Sequence, residues 1–301
     1  MLVLVAGATG KLGGETVRRL RASGYDVRAL ARPTSPPDRV ADLERSGATI
    51  ARGDLKDPAS LAAACKGVDA VISTVSIIAT AREGDSFEAT DGAGTVSLID
   101  AAVAADVRHF VFVSFDVDSM PDCPLAAAKR RVEQHLMLSG LTWTILRPTL
   151  FMELWLGPLL FADPAAATAK VYGAGEDKIR YVSVPDVAEV LVQSLAVPEA
   201  RDAIVGFGGP EGVSQRDAVR IFEEAYGRQF EVAEFPETAL EAQWQTADNP
   251  FAKTFSALML GVARGVGSQV QPPTGSYSIA MTSVKDFVRA AASGSTATGA
   301  H

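Results

Sequence analysis

The sequence is poor in the residues that several classes of protein require. Its 301 residues contain two cysteines, too few for a disulfide framework, and its three histidines have no neighbours that suggest a metal site. No apolar run reaches the roughly 20 residues that span a membrane, and the longest candidate, 150–162, is interrupted by Glu153 and Pro158. The net charge of −8 lacks the basic excess that phosphate backbones attract. We therefore expect no metal, membrane or nucleic-acid partner.

The chain opens on an apolar strand with no secretory leader before it, so we expect a cytoplasmic protein. Its length allows one large α/β domain with a smaller lobe, and either a monomer or a homodimer. We expect a cofactor-binding core over 1–150, a substrate lobe over 151–292 and a mobile tail over 293–301.

Glycine is concentrated where the first strand ends. An apolar run at 2–5 leads into Gly7, Gly10 and Gly13, and a helical pattern follows. A strand, a glycine turn and a helix N-terminus together bind a dinucleotide pyrophosphate, because bare backbone and free N–H groups can approach the phosphates. An ordinary glycine-rich turn is the alternative, and the strand–turn–helix context favours the cofactor.

The second predicted strand, 26–31, ends at Arg32, about twenty residues after the glycines. An acidic residue at this point binds the ribose 2′-hydroxyl of NAD, whereas an arginine suits the 2′-phosphate of NADP. Lys11, in the glycine turn, adds a second positive group. The pattern predicts NADPH, with a solvated surface arginine as the alternative. The proline-rich segment 34–39 is expected to form a loop over this site.

Strands alternate with helices through the first half, which predicts a doubly wound parallel sheet of the Rossmann type with a smaller C-terminal lobe. Further strands are predicted at 48–51, 70–73, 109–113 and 142–146, and one continuous helix at 86–104. The carboxyl ends of such strands line the ligand crevice, so Ser73, Thr74, Val75 and Ser114 are expected there. Asp54 is placed to bind the adenine amino group, with Leu55 against the ring; an aspartate that caps a turn is the alternative.

One helix, predicted over 124–139, carries a lysine on its apolar face. Leu125, Lys129 and Val132 fall at helical spacing. A buried ammonium needs a partner, which the hydroxyls of a cofactor ribose would supply. The alternative is a lysine that reaches water from the edge of the face.

Beyond residue 149 the composition changes to an apolar segment that includes Phe151 and Trp155. The remaining elements are expected to build a small helical lobe over the carboxyl edge of the sheet. The predicted elements are a strand at 179–184, a helix capped by Asp186, a strand at 203–206, a helix at 214–226 and a strand at 230–235.

These motifs resemble the NmrA-like, atypical branch of the short-chain dehydrogenase/reductase superfamily over about the first two hundred residues. The matching stretches are 7–10 with Gly13, 28–32, 53–55, 99–102, 110–114, Lys129 with Glu133, 139–149, 151–153 and 184–188. One departure concerns the chemistry. The classical branch places a tyrosine four residues before the lysine as its proton donor, and this sequence has Leu125. Alcohol–ketone chemistry by that route is therefore not expected.

The resemblance implies an NADPH-dependent reductase that transfers hydride to a planar, apolar acceptor such as a quinone or enone. A non-catalytic NADP(H)-binding redox sensor or assembly protein is the alternative, and a sugar-nucleotide epimerase is disfavoured. The implied catalytic residues are Lys129 and Ser114, and Phe151 and Trp155 are implied to bind the substrate. The implied cofactor residues are Gly7, Thr9, Gly10, Lys11, Leu12, Gly13, Arg32, Asp54, Leu55, Ser73, Thr74, Val75, Lys129 and Pro148.

Overall fold

The computed structural model describes residues 1–78, 80–81 and 83–298. The strands are Leu2–Ala6 (β1), Asp26–Ala31 (β2), Thr49–Arg52 (β3), Ala70–Ser73 (β4), His109–Val113 (β5), Thr142–Pro148 (β6), Ala162–Asp163 (β7), Thr168–Tyr172 (β8), Ala203–Phe207 (β9) and Glu231–Phe235 (β10). Seven of them form a parallel sheet in the order β3-β2-β1-β4-β5-β6-β9. The predicted doubly wound parallel sheet is confirmed.

Helices cover both faces of this sheet, and for that reason its strands are apolar without alternation. They are Lys11–Ala22 (α1), Pro37–Arg45 (α2), Pro58–Cys65 (α3), Thr95–Ala104 (α4), Pro124–Met137 (α5), Met152–Trp155 (α6), Val184–Ser194 (α7), Gln215–Tyr226 (α8), Glu237–Thr246 (α9), Pro250–Ala263 (α10) and Val284–Thr298 (α11). In β1, Val3, Leu4 and Val5 are fully buried. Helix α1 buries Val17 and Leu20 at helical spacing.

The C-terminal half contains a second sheet, in the order β10-β8-β7. It shares a core with α8 and α10 that includes Tyr172, Phe222 and Leu260. A capping box between Ser214 and Asp217 begins α8. The smaller lobe therefore combines helices with strands, among them the predicted strand near 230–235, and a separate three-stranded sheet lies inside it.

Two local predictions in the first half were wrong. The segment 34–39 is a loop only over 34–36, because Pro37 begins α2, where a missing N–H costs nothing. The predicted helix at 86–104 is interrupted, since Phe87–Gly94 forms a π-helix before α4 begins. Such wide turns accommodate one extra residue and occur frequently at functional sites.

Two predictions in the second half also failed. Residues 179–184 form no continuous strand, because Ile179 pairs with Val213 while Val182 pairs with Phe151. Asp186 does not cap α7. Ser183 is the cap, and the Asp186 carboxylate accepts hydrogen bonds from Thr282 instead. Helix α11 extends to Thr298, and residues 299–301, the end of the predicted mobile tail with His301, lie outside the described residues.

Candidate cofactor and active site

A cavity of about 680 Å³ follows the carboxyl edge of the large sheet. It extends from Arg32, where β2 ends, past the glycine turn and the ends of β4 and β5 to Leu258 on α10. Every residue that the sequence predicted for the site lies on its wall except Ser73. Ser73, the last residue of β4, is fully buried and does not line the cavity.

The glycine turn leaves a helix N-terminus open to the cavity. Gly7 has a φ of +80°, a backbone angle that residues other than glycine rarely adopt. A Cβ at Gly13 would lie 2.2 Å from the Gly7 carbonyl oxygen, so only glycine allows α1 to start this close to β1. Gly10 caps α1 without any side-chain hydrogen bond, and the first turn contains no acidic residue. Its N–H groups are therefore available to an anion from the cavity.

Alanine at Gly13 is expected to abolish cofactor binding or folding, whereas alanine at Gly14 is expected to be tolerated. The added Cβ at Gly14 would lie 3.4 Å from the Ala8 carbonyl oxygen, close to ordinary contact, and alanine is the better helix former by about 1 kcal/mol. Thermal melts and NADPH titrations of the two variants measure this difference. Equal behaviour of the two variants would contradict the assigned close approach of α1 to the turn.

The adenosine end of the cavity holds a cluster of charges. Arg32 Nη1 donates to Asp85 Oδ2 at 3.0 Å, and Lys56 Nζ donates to Asp85 Oδ1 at 3.1 Å. The Asp54 carboxylate accepts a hydrogen bond from the Lys56 main-chain N–H. Asp54 therefore makes the turn contact that was the alternative to adenine binding. It also lies on the cavity wall. Sequence reasoning missed Asp85, since nothing in the order of residues links it to the end of β2.

Lys129 lies at the centre of the wall and is 3% exposed. Its Nζ donates to the main-chain oxygens of Val75 at 2.7 Å and Val113 at 3.2 Å, and it lies 3.7 Å from Asp91 Oδ1. The alternative of a lysine that reaches water is wrong. The ammonium has protein partners at the ends of β4 and β5, and its counter-ion, Asp91 in the π-helix, was not predicted.

The electrostatics of this pair follow from burial. Burial lowers the pKa of Lys129, and the nearby carboxylates of Asp91 and Glu133 raise it part of the way back. Burial raises the pKa of Asp91, against the opposing effect of Lys129 and of hydrogen bonds from Ser76 and Ile77. The charged forms of these two groups therefore depend on each other.

Two buried hydroxyl groups on the cavity wall have no partner in the protein. Ser114 Oγ and Thr90 Oγ1 are buried and have no hydrogen-bond partner within the described part of the chain. Both residues line the wall. Buried polar groups are normally hydrogen-bonded, so each hydroxyl could pair with a ligand or with water in the cavity. Ser114 was predicted from the sequence, and Thr90 was not.

The far end of the cavity is apolar. Phe151 and Trp155 lie on its wall as predicted, and Met120, Leu258, Val266 and Val270 join them. Arg147 holds the neighbouring loop after β5 in place through hydrogen bonds to Glu133 and Asp118. The described wall contains no tyrosine and no histidine. His109 begins β5 at the opposite end of the strand, bonded to Thr144, and burial lowers its pKa to about 4.

Glu153 is a further carboxyl group on the wall that sequence reasoning did not select. Its Oε1 accepts a hydrogen bond of 2.8 Å from the Val184 N–H at the start of α7, and its Oε2 is buried without a partner among the described residues. Burial raises the pKa of this carboxyl group. The sequence offered one clue to Glu153, because it lies in the stretch 151–153 that resembles the NmrA-like branch.

Curated relatives match most of the chain. An Arabidopsis thaliana chloroplast protein, High Chlorophyll Fluorescence Phenotype 244, is 31% identical over 81% of this chain, and the match spans 60% of that protein's length. An NAD(P)H azoreductase of Xenophilus azovorans is 30% identical over 75% of this chain and 74% of its own length. The photosystem II assembly factor Ycf39 of Cyanophora paradoxa is 31% identical over 82% of this chain and 75% of its own.

The fold is also shared with solved structures. An NADPH-dependent quinone oxidoreductase of Escherichia coli, complexed with NADPH, superposes with a TM-score of 0.74 at 21% identity, over 97% of this chain and 99% of its own. No helix in the described ranges is long and apolar enough to cross a membrane. The model of the NAD(P)H-binding family matches residues 7–198. The chain therefore belongs to the NAD(P)H-binding family, which confirms the predicted NAD(P) cofactor and the resemblance to NmrA-like reductases.

Proposed function

We propose that the protein is an NADPH-dependent reductase of planar, conjugated, apolar acceptors such as quinones and enones. The observation that carries the proposal is a single cavity with two different ends. One end combines an uncapped helix N-terminus with Arg32, and the other is an apolar chamber beside Lys129 and Ser114. Phosphates suit the first end, and an uncharged ring system suits the second.

NADPH, when bound, supplies the hydride. The residues of the chain bind and orient the cofactor and the acceptor. The N–H groups at the start of α1 and the glycine backbone hold the pyrophosphate, and Arg32 pairs with the 2′-phosphate. Phe151 and Trp155 contact the acceptor and exclude water from it.

Lys129 is placed to donate a hydrogen bond to the cofactor ribose or to the acceptor oxygen. Its N–H groups are directed to the Val75 and Val113 oxygens and toward Asp91, so a ligand would share the ammonium with these protein partners. Ser114 Oγ offers a second donor or acceptor within the same buried region. Because Leu125 occupies the place of the usual tyrosine, acceptors that take their proton from Lys129 or from water after hydride transfer fit this site best.

Consumption of NADPH by the purified protein, measured against quinones, enones, azo dyes and simple ketones, tests the proposal. Turnover is expected with the conjugated acceptors and not with the simple ketones, because only conjugated acceptors spread the added charge without a strong acid nearby. Protein that binds NADPH but consumes none of it with any acceptor would overturn the proposed activity.

That same outcome would support a second function, an NADP(H)-binding assembly or sensor protein. The match to a photosystem II assembly factor over 82% of this chain favours it, as does the wall without a tyrosine. Its mark would be a complex with a partner protein whose stability differs between NADP⁺ and NADPH, without net consumption of either. A complex that is equally stable with both forms would count against the sensor.

A further inference from the structure

The charge cluster at the adenosine end contains a buried acid, Asp85, which pairs directly with two of its cations. Asp85 accepts from Arg32 and Lys56, and its side chain is 2% exposed. Arg52 Nη1 lies 3.4 Å from the Arg32 main-chain oxygen and adds a third cation nearby. Arg32 lies on the cavity wall, and Asp85, which does not line the cavity, contacts it. A buried carboxylate that joins two cations at the mouth of a phosphate site weakens the charge that the site presents.

The two cofactors differ at the point that Arg32 faces. NADPH carries a 2′-phosphate there with a charge near −2, and NADH carries a neutral hydroxyl. The preference between them depends on the net positive charge within a few ångströms, since the interaction energy falls with distance and solvent screening. Asp85 reduces that charge by one and takes up one N–H of Arg32.

We propose that Asp85 is a specificity-determining residue that restrains the preference for NADPH, so that NADH also binds. The inference rests on the proposed binding of the 2′-phosphate by Arg32. The carboxylate competes with the phosphate for Arg32 and Lys56, and it does not compete with the neutral hydroxyl of NADH. The chain accordingly combines the arginine typical of NADP sites with an acid supplied from a different loop.

The test is the ratio of dissociation constants for NADH and NADPH, measured by calorimetry on the full chain. Asp85→Asn keeps an oxygen for Arg32 but removes the charge, and it is expected to raise the preference for NADPH about tenfold, through tighter NADPH binding. Asp38→Asn, an equal change of charge at an exposed position of α2, is the control and is expected to change the ratio less than about twofold. Arg32→Ala is expected to abolish the preference.

A second variant keeps the test decisive if Asp85→Asn does not fold. Lys56→Gln, at a side chain that is 40% exposed, removes one of the cations that pair with Asp85 and is expected to lower the ratio severalfold. An unchanged or lower ratio in Asp85→Asn, or an equal rise in Asp38→Asn, overturns the role of Asp85 while NADPH binding by the wild type stands. Folded wild-type protein that binds neither cofactor overturns the proposed function, and this inference with it.

Discussion

Replacement of Lys129 by methionine is expected to lower kcat/KM for NADPH-dependent reduction by about 100-fold or more. The methionine fills a similar volume but removes the cation and its N–H donors from the centre of the wall. The hydroxyls of Ser114 and Thr90 on the same wall are neutral and cannot replace the charge. The measurement is the steady-state rate with the best acceptor from the panel, at saturating NADPH.

Arg131→Met is the matched control, because it removes a cation from the same helix at a side chain that is 52% exposed and does not line the cavity. Its activity is expected to stay within about twofold of the wild type. Lys129 also joins the ends of β4 and β5, so its loss is expected to weaken the fold as well. Rates must therefore be compared on protein shown to be folded. Wild-type activity in folded Lys129→Met would remove this residue from the mechanism.

The sequence was sufficient for the parts of the molecule that depend on near neighbours. The strand, the glycine turn and the start of α1 occupy consecutive positions, so their pattern could be read directly. The buried face of α5 follows from the spacing of Leu125 and Val132 on one helix. The doubly wound parallel sheet follows from alternating strands and helices, and the structure confirms it.

The sequence was insufficient where two distant segments meet. Asp91 and Asp85 take their roles from contacts across the fold, with Lys129 and Arg32 respectively. Both acids lie near a wide π-turn that the apolar pattern of 86–104 did not reveal. One clue was available for the first of them. A lysine on an apolar face requires a buried acid or a ligand, and we considered only the ligand.

Loss of the Asp91 charge is expected to cost the fold more than loss of any exposed acid. Asp91→Asn leaves Lys129 buried without a counter-ion, and removal of one partner of such a pair costs about 3–5 kcal/mol of unfolding free energy. Glu88→Gln, in the same π-helix, breaks the pair with Arg131, whose two side chains are more than half exposed. That change is expected to cost less than about 1 kcal/mol. Urea unfolding of both variants without cofactor measures the difference.

A double-mutant cycle separates the pair from its surroundings. The two ion pairs connect the same two elements, the π-helix and α5, so they differ mainly in burial. The Asp91–Lys129 cycle is expected to give a coupling energy above about 2 kcal/mol, and the Glu88–Arg131 cycle a value below about 1 kcal/mol. Equal coupling in the two cycles would mean that Asp91 is not the counter-ion of Lys129.

A purely structural role of Asp91 would leave the pH dependence of cofactor binding unchanged, so this dependence provides a further test. The Asp91 carboxylate raises the pKa of Lys129 against the effect of burial, so Asp91→Asn is expected to lower that pKa. The ammonium then loses its proton at a lower pH than in the wild type, and the loss of NADPH affinity that accompanies its deprotonation moves to lower pH. The same shift is absent from Glu88→Gln if Lys129 is the titrating group. Titration of NADPH over a series of pH values on the folded variants therefore links the buried pair directly to the cofactor site.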